Sequence, residues 1–154
     1  MNTPWKRLVV LVVGLALLWA TGCKSSGPKM VRIRGMVSYK GAPLTNVTQG
    51  IVRYAPKEAS SSAREATGRI QPDGSFVMTT FQRGDGVVVG EYDITVSAYS
   101  NQELSRQETE SGVHSAGPKL LIPERYLKSS TSGLSDTVAA GHSGVKQIEL
   151  NDKS

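Results

Sequence analysis

The chain has 154 residues, with 18 Lys and Arg against 13 Asp and Glu, two His and a single Cys. The basic residues are scattered among the acidic ones, so the net +5 describes a solvated surface and excludes a nucleic-acid-binding stripe. A lone cysteine excludes an internal disulfide, and 38% hydrophobic residues suffice for one domain with its own core.

The first segment reads Trp5-Lys6-Arg7, an apolar run over residues 8–20, then Thr21-Gly22-Cys23. A positive start, a short apolar stretch and small residues before the break have the layout of a secretory signal peptide. As a helix the 13 residues of the run span about 20 Å, against roughly 30 Å of hydrocarbon, too short to cross. Residues 1–22 resemble the signal peptide of a bacterial lipoprotein, whose acceptor box appears here as Ala20-Thr21-Gly22-Cys23. Leucine is the usual first residue of that box, and Ala20 departs from it. The resemblance implies cleavage before Cys23, lipidation of Cys23, and an exported chain held to a bacterial membrane by acyl chains. Lys24 stands where some bacteria place an Asp that retains lipoproteins at the inner membrane, which favours the outer membrane or a periplasmic face. The expected division is a signal peptide over residues 1–22, lipidated Cys and flexible spacer over 23–29, and a β domain over 30–154. Without residues 1–22, 16 basic residues face 13 acidic ones.

Residues 31–39 place Val31, Ile33, Val37 and Tyr39 on one face and Arg32, Arg34, Met36 and Ser38 on the other, a period of two that predicts a half-buried strand. Lys40-Gly41-Ala42-Pro43 is turn chemistry. A second strand is expected over residues 50–55, with Val52 and Tyr54 inward and Arg53 outward. Residues 57–63 read as an exposed loop. Strands over 67–70 and 75–81 flank Gln71-Pro72-Asp73-Gly74, a tight hairpin signal. Residues 82–90 hold three glycines and are expected to be loop despite Val87, Val88 and Val89. Residues 91–99 are the clearest strand, Tyr92, Ile94, Val96 and Ala98 alternating with Glu91, Asp93, Thr95 and Ser97. Residues 100–117 are polar and predict an excursion. Leu120-Leu121-Ile122-Pro123 restores order, and 134–138 and 145–150 supply the last strands around a turn at 141–144. With no sustained period near 3.6, the expected fold is all-β, an immunoglobulin-like or prealbumin-like sandwich of about seven strands.

The order of these pieces resembles the small exported lipoproteins of planctomycete-type bacteria that carry a carboxypeptidase-regulatory-like or transthyretin-like β-sandwich domain. The matching stretches run from Val31-Arg32-Ile33-Arg34-Gly35 to Gly41-Ala42-Pro43-Leu44, then Gly68-Arg69-Ile70-Gln71-Pro72-Asp73-Gly74-Ser75-Phe76, Gly90-Glu91-Tyr92-Asp93-Ile94-Thr95-Val96, and Ile122-Pro123-Glu124-Arg125-Tyr126. A Gly-Gly pair usual before the second strand is replaced by residues 46–50. The resemblance implies an accessory or adhesive module and offers no catalytic residues.

Candidate sites are few. His114 and His142 are the only histidines and lack ligand spacing, so neither metal nor cofactor is expected. Ser135, Asp136 and His142 supply the residue types of a hydrolase but no nucleophile elbow. Asp73 and Asp85 sit in glycine-containing turns, without the repeated acidic loop that calcium requires, and are read as turn-forming acids. Arg83-Gly84-Asp85 matches an adhesion tripeptide and is read as a chain turn. Glu65, Glu91 and Asp93 supply residue types for an acid and base pair, but strand alternation places Glu91 and Asp93 on the solvent face. Both tryptophans, Trp5 and Trp19, lie in the signal peptide. The expected function is a lipid-anchored, non-enzymatic interaction module of the cell envelope, with a protein or glycan partner and no nucleic acid. The alternative is a carbohydrate- or small-ligand-binding module, which clustering of Tyr39, Tyr99 and Tyr126 on one surface would favour.

Overall fold

The computed structural model describes residues 27–58, 63–101, 118–141 and 144–152. The expected signal peptide, the excursion after Asn101 and both histidines lie outside them. Of the described residues 53% are in strands and 8% in helix, so the domain is all-β. The strands are β1 (Met30–Val31), β2 (Ile33–Tyr39), β3 (Ala42–Pro43), β4 (Gln49–Pro56), β5 (Ala66–Arg69), β6 (Ser75–Thr79), β7 (Val87–Val88), β8 (Gly90–Ser100), β9 (Lys119–Leu120), β10 (Leu134–Val138) and β11 (Gly144–Leu150).

Seven of these form one path, β10-β8-β4-β5-β6-β2-β11, with β3 and β9 extending β2 and β8. Every pairing along it is antiparallel except β2 with β11, which runs parallel from Ile33↔Gly144 to Tyr39↔Leu150. The two sides of β6 are used over different stretches. Thr79 and Met78 pair with β5, whereas Val77, Phe76 and Ser75 pair with β2. The hydrogen-bonded ladder therefore passes continuously through β6 and curls into a half-barrel.

Alternation sets the inside of the curl. On β8, Tyr92, Ile94, Val96 and Ala98 are buried, and on β4 Val52 and Tyr54 are buried while Arg53 is exposed, both as their period of two requires. The core adds Val37, Phe76, Met78 and Leu150, and the Tyr54 and Tyr92 rings meet at 5.7 Å in a tilted pair. At one end β1 pairs with β7. At the other, a 3-10 turn over Glu124–Leu127 buries Tyr126, whose phenol accepts from the Asn151 amide (3.0 Å) just past β11.

Several sequence boundaries are corrected. The strand expected over 31–39 breaks at Arg32, so that β1 and β2 belong to different ladders. The loop expected over 82–90 contains β7, because Val87 and Val88 are almost wholly buried and pair with Val31 and Met30. Glycine content argued for loop, but burial of two valines against a short partner outweighs it. Ala42 and Pro43, read as turn, pair back onto β2 across Lys40 and Gly41, which both take positive φ (55° and 78°) as a tight hairpin requires. The strand expected to reach Phe81 stops at Thr79, and Phe81 is 56% exposed.

Gly35 occupies an inward position of β2. A Cβ there would lie 2.2 Å from the Lys146 carbonyl oxygen and 2.5 Å from Phe76 Cζ. The parallel β2–β11 contact and the Phe76 ring thus require a residue with no side chain. Gly35→Val is expected to destabilise the domain by about 3 kcal/mol or more, because neither backbone nor ring can retreat cheaply; chemical denaturation measures it, and a neutral result removes this account of the β2–β11 contact.

Candidate functional site

The two edge strands, β10 and β11, follow one another in the chain, and no ladder joins them among the described residues. Side chains join them instead. Asp136 on β10 and Lys146 on β11 both lie in phase with the inward residues of their strands. Lys146 Nζ donates to Asp136 Oδ1 at 2.6 Å, and Tyr54 Oη, reaching up from β4, donates to Asp136 Oδ2 at 3.2 Å. The Asp136 side chain is only 14% exposed, so the pair is far less screened than a surface ion pair. Burial first, then the Asp136 charge and the hydrogen bond to it, push the Tyr54 phenol far above its ordinary value. The phenol is therefore a fixed neutral donor. Between the edges lies a cleft of about 150 Å³ whose walls include Val31, Ile33, Val138 and Val145.

This seam contains two of the three residues that suggested a hydrolase. Ser135 is exposed and alternates with half-buried Asp136, so the two side chains leave β10 on opposite faces. The Asp136 carboxylate is already engaged by an ammonium and a phenol. What it does chemically is hold two strand edges together.

The turn carboxylates are likewise engaged. Asp85 Oδ1 accepts from the Thr80 amide (2.8 Å), and Oδ2 accepts from the amides of Phe81 (2.9 Å) and Gln82 (2.7 Å). Partial burial pushes the Asp85 carboxyl up, but the amides of Thr80, Gln82 and Phe81 more than offset it and hold the group below its ordinary range. The Arg83-Gly84-Asp85 tripeptide is therefore a backbone staple whose acid points into its own turn. Asp73 accepts from Ser75 Oγ (2.7 Å) and from the Ser75 amide (2.9 Å), and these bonds lower its pKa. Glu65 pairs with Arg53 at 3.5 Å and Asp93 with Lys57 at 4.0 Å, while Glu91 is exposed, all on the outer face. No group of three or more metal-ligating side chains occurs among the described residues.

The three tyrosines do not form an exposed platform. Tyr126 is 2% exposed and lies beneath the Arg125 guanidinium, 4.6 Å from its ring centroid. Tyr39 hydrogen-bonds Asp152, which also receives Lys40 in an ion pair at 2.5 Å. Only Tyr99 borders an outer groove, one of about 390 Å³ running across β4 and β8. Cys23, the lipidation candidate, lies outside the described residues, as do His114 and His142.

Sequence reasoning missed the partners of Asp136. A signal existed, since Lys146 shares the inward phase of Ile148 and Leu150, and a lysine in an apolar phase demands an acid.

Two measurements check these assignments. Asp136→Ala should cost about 2 kcal/mol in denaturant, because it leaves the Tyr54 hydroxyl buried without a partner. Asp136→Ala combined with Tyr54→Phe should cost less than the sum of the single losses. In acid, the stabilisation held by the depressed Asp85 carboxyl is complete above its unfolded-state value of 3.8 and disappears as pH falls through the lower folded value. Asp85→Asn should flatten that part of the stability–pH curve, and an unchanged slope would remove the staple assignment.

Comparison with family models, with curated proteins and with solved structures returned no match for this chain.

Proposed function

We propose that this chain is a lipid-anchored, non-enzymatic interaction module of a bacterial cell envelope, tethered through Cys23 and offering one outer sheet face to a protein or glycan partner. On this reading the curled sheet is a β-sandwich of the carboxypeptidase-regulatory-like or transthyretin-like kind. Its layers would be β10-β8-β4-β5 and β6-β2-β11, hinged at β6.

The observation that carries the proposal is the composition of the outer face of β5, β4 and β8. Register aligns two rows across it, Arg69–Ile51–Ser97 and Thr67–Arg53–Thr95. Ile51 is 44% exposed and borders two shallow grooves, each of about 390 Å³. An exposed aliphatic side chain among hydroxyls and guanidinium groups combines an apolar anchor with a polar surround, the pattern of a contact surface. The acids nearest to catalytic use are engaged structurally: Asp136 spans the seam, and Asp85 and Asp73 close turns. The protein or glycan contact reading is favoured over a sugar platform because Tyr126 is buried.

Two experiments divide the proposal. Cys23→Ser should move the protein from the membrane pellet to the soluble envelope fraction, and a variant still in the pellet overturns the anchor. A photoreactive amino acid at Ile51 should give discrete adducts in intact envelopes, whereas the same group at Glu124, outside both rows, should not. Equal labelling at the two positions overturns the contact face.

A further inference from the structure

The opposite outer face, over β6, β2 and β11, differs in chemistry. Register places Val77, Arg34 and Val145 side by side across the three strands. Val77 is 54% and Val145 65% exposed, among the most exposed large apolar side chains described. Arg32 and Arg34 are both exposed, and neither side chain has an ion-pair or hydrogen-bond partner among the described residues. Together they border a groove of about 370 Å³ that reaches Gly84. The carboxylate nearest in sequence to that glycine, Asp85, is turned onto backbone amides. The acids of this layer lie at the far end of β11, where Glu149 accepts from Ser38 and Gly41 and Asp152 pairs with Lys40. The positive end of the face is thus separated from the acidic one, and it is the end at which the chain enters the domain.

We infer that this face rests on the anionic phospholipid surface of the bilayer, Arg32 and Arg34 meeting lipid phosphates while Val77 and Val145 enter the headgroup layer. The inference rests on the lipid-anchor reading for its geometry. Six residues separate Cys23 from Met30, a span that reaches at most about 25 Å, so Arg32 can never be far from the headgroups of the anchoring leaflet. A planar guanidinium binds phosphate through paired hydrogen bonds. Each basic residue near an anionic bilayer favours binding about fivefold, so two favour it about 25-fold, and tethering adds to this by raising the local concentration. An acidic polypeptide would also satisfy the arginines. It would gain nothing from two exposed valines flanking them, whereas a headgroup layer does.

The core of the described residues is built wholly from residues 31–150, so a chain starting at Lys24 retains it and carries no acyl group. This chain is titrated with phosphatidylcholine vesicles, with and without phosphatidylglycerol, and bound protein is measured by co-sedimentation. Binding should require phosphatidylglycerol and weaken with salt, and Arg32→Gln with Arg34→Gln should reduce the partition coefficient about 25-fold. Val77→Ser with Val145→Ser should also reduce it. Equal partitioning of wild type and the arginine variant, binding indifferent to salt, or preference for soluble polyglutamate over the vesicles each overturns the inference. Both arginines are exposed, so an unchanged unfolding transition should confirm that the variant is folded, and the salt series on wild type decides if it is not. Because no acyl group is present, this outcome is independent of Cys23→Ser fractionation, and the two ideas fail separately.

Discussion

The contact on which the architecture turns is the three-way meeting of Tyr54, Asp136 and Lys146. A sheet that curls without closing leaves two free edges, and here both edges come from consecutive strands with no ladder between them among the described residues. Coulomb attraction across 2.6 Å, in a site where the carboxylate is largely withdrawn from water, holds them together. The buried phenol from the middle of the sheet ties the same carboxylate to the core, so the joint registers β4 as well as the edges. Charge pointing inward from an edge strand has a second effect. It makes that edge a poor template for another copy of the chain, since any strand added there would have to desolvate or displace the pair.

Alternation made most of the fold legible. β8 and β4 bury what a period of two assigns to them, because one face of each meets a core and nothing local competes. The Gln71-Pro72-Asp73-Gly74 hairpin was legible for the same local reason, with the Gly74 amide donating to the Gln71 carbonyl at 2.9 Å. What escaped depends on partners distant in sequence. β7 is strand only because Met30 and Val31 lie beside it, more than fifty residues earlier in the chain, and its glycine-rich flanks argued locally for loop. The curl at β6 is likewise invisible to a period, since it arises from pairing different stretches of one strand with different neighbours.

The candidate site was less legible than the fold, and for a consistent physical reason. A carboxylate in a sequence is a set of acceptors without an address. Asp85 and Asp73 read as turn-forming acids and accept from donors in their own turns, amides a few residues away for the first and a neighbouring serine for the second, whereas Asp136, read among the residue types of a hydrolase, is occupied by residues on two other strands. Local donors follow from turn composition, and the chain-turn reading of Arg83-Gly84-Asp85 rests on that alone. The Lys146 partnership needed a phase argument on β11 and a knowledge of which strand lies opposite, and only the former is written in the sequence.

The seam also determines how the two outer faces relate. In an open sheet of seven strands, β4 and β2 would present outer faces inclined to one another by the accumulated twist, and both could meet one flat surface. Once Asp136 and Lys146 bring the edges together, three strand steps of a curled sheet separate β4 from β2. The Arg69–Ile51–Ser97 row and the Val77–Arg34–Val145 row then lie on different stretches of the curl. On the proposed reading, a bilayer beneath β2 and β11 leaves β4 and β8 turned outward into the envelope, so the half-buried ion pair at the seam is also what keeps the contact face clear of the lipid.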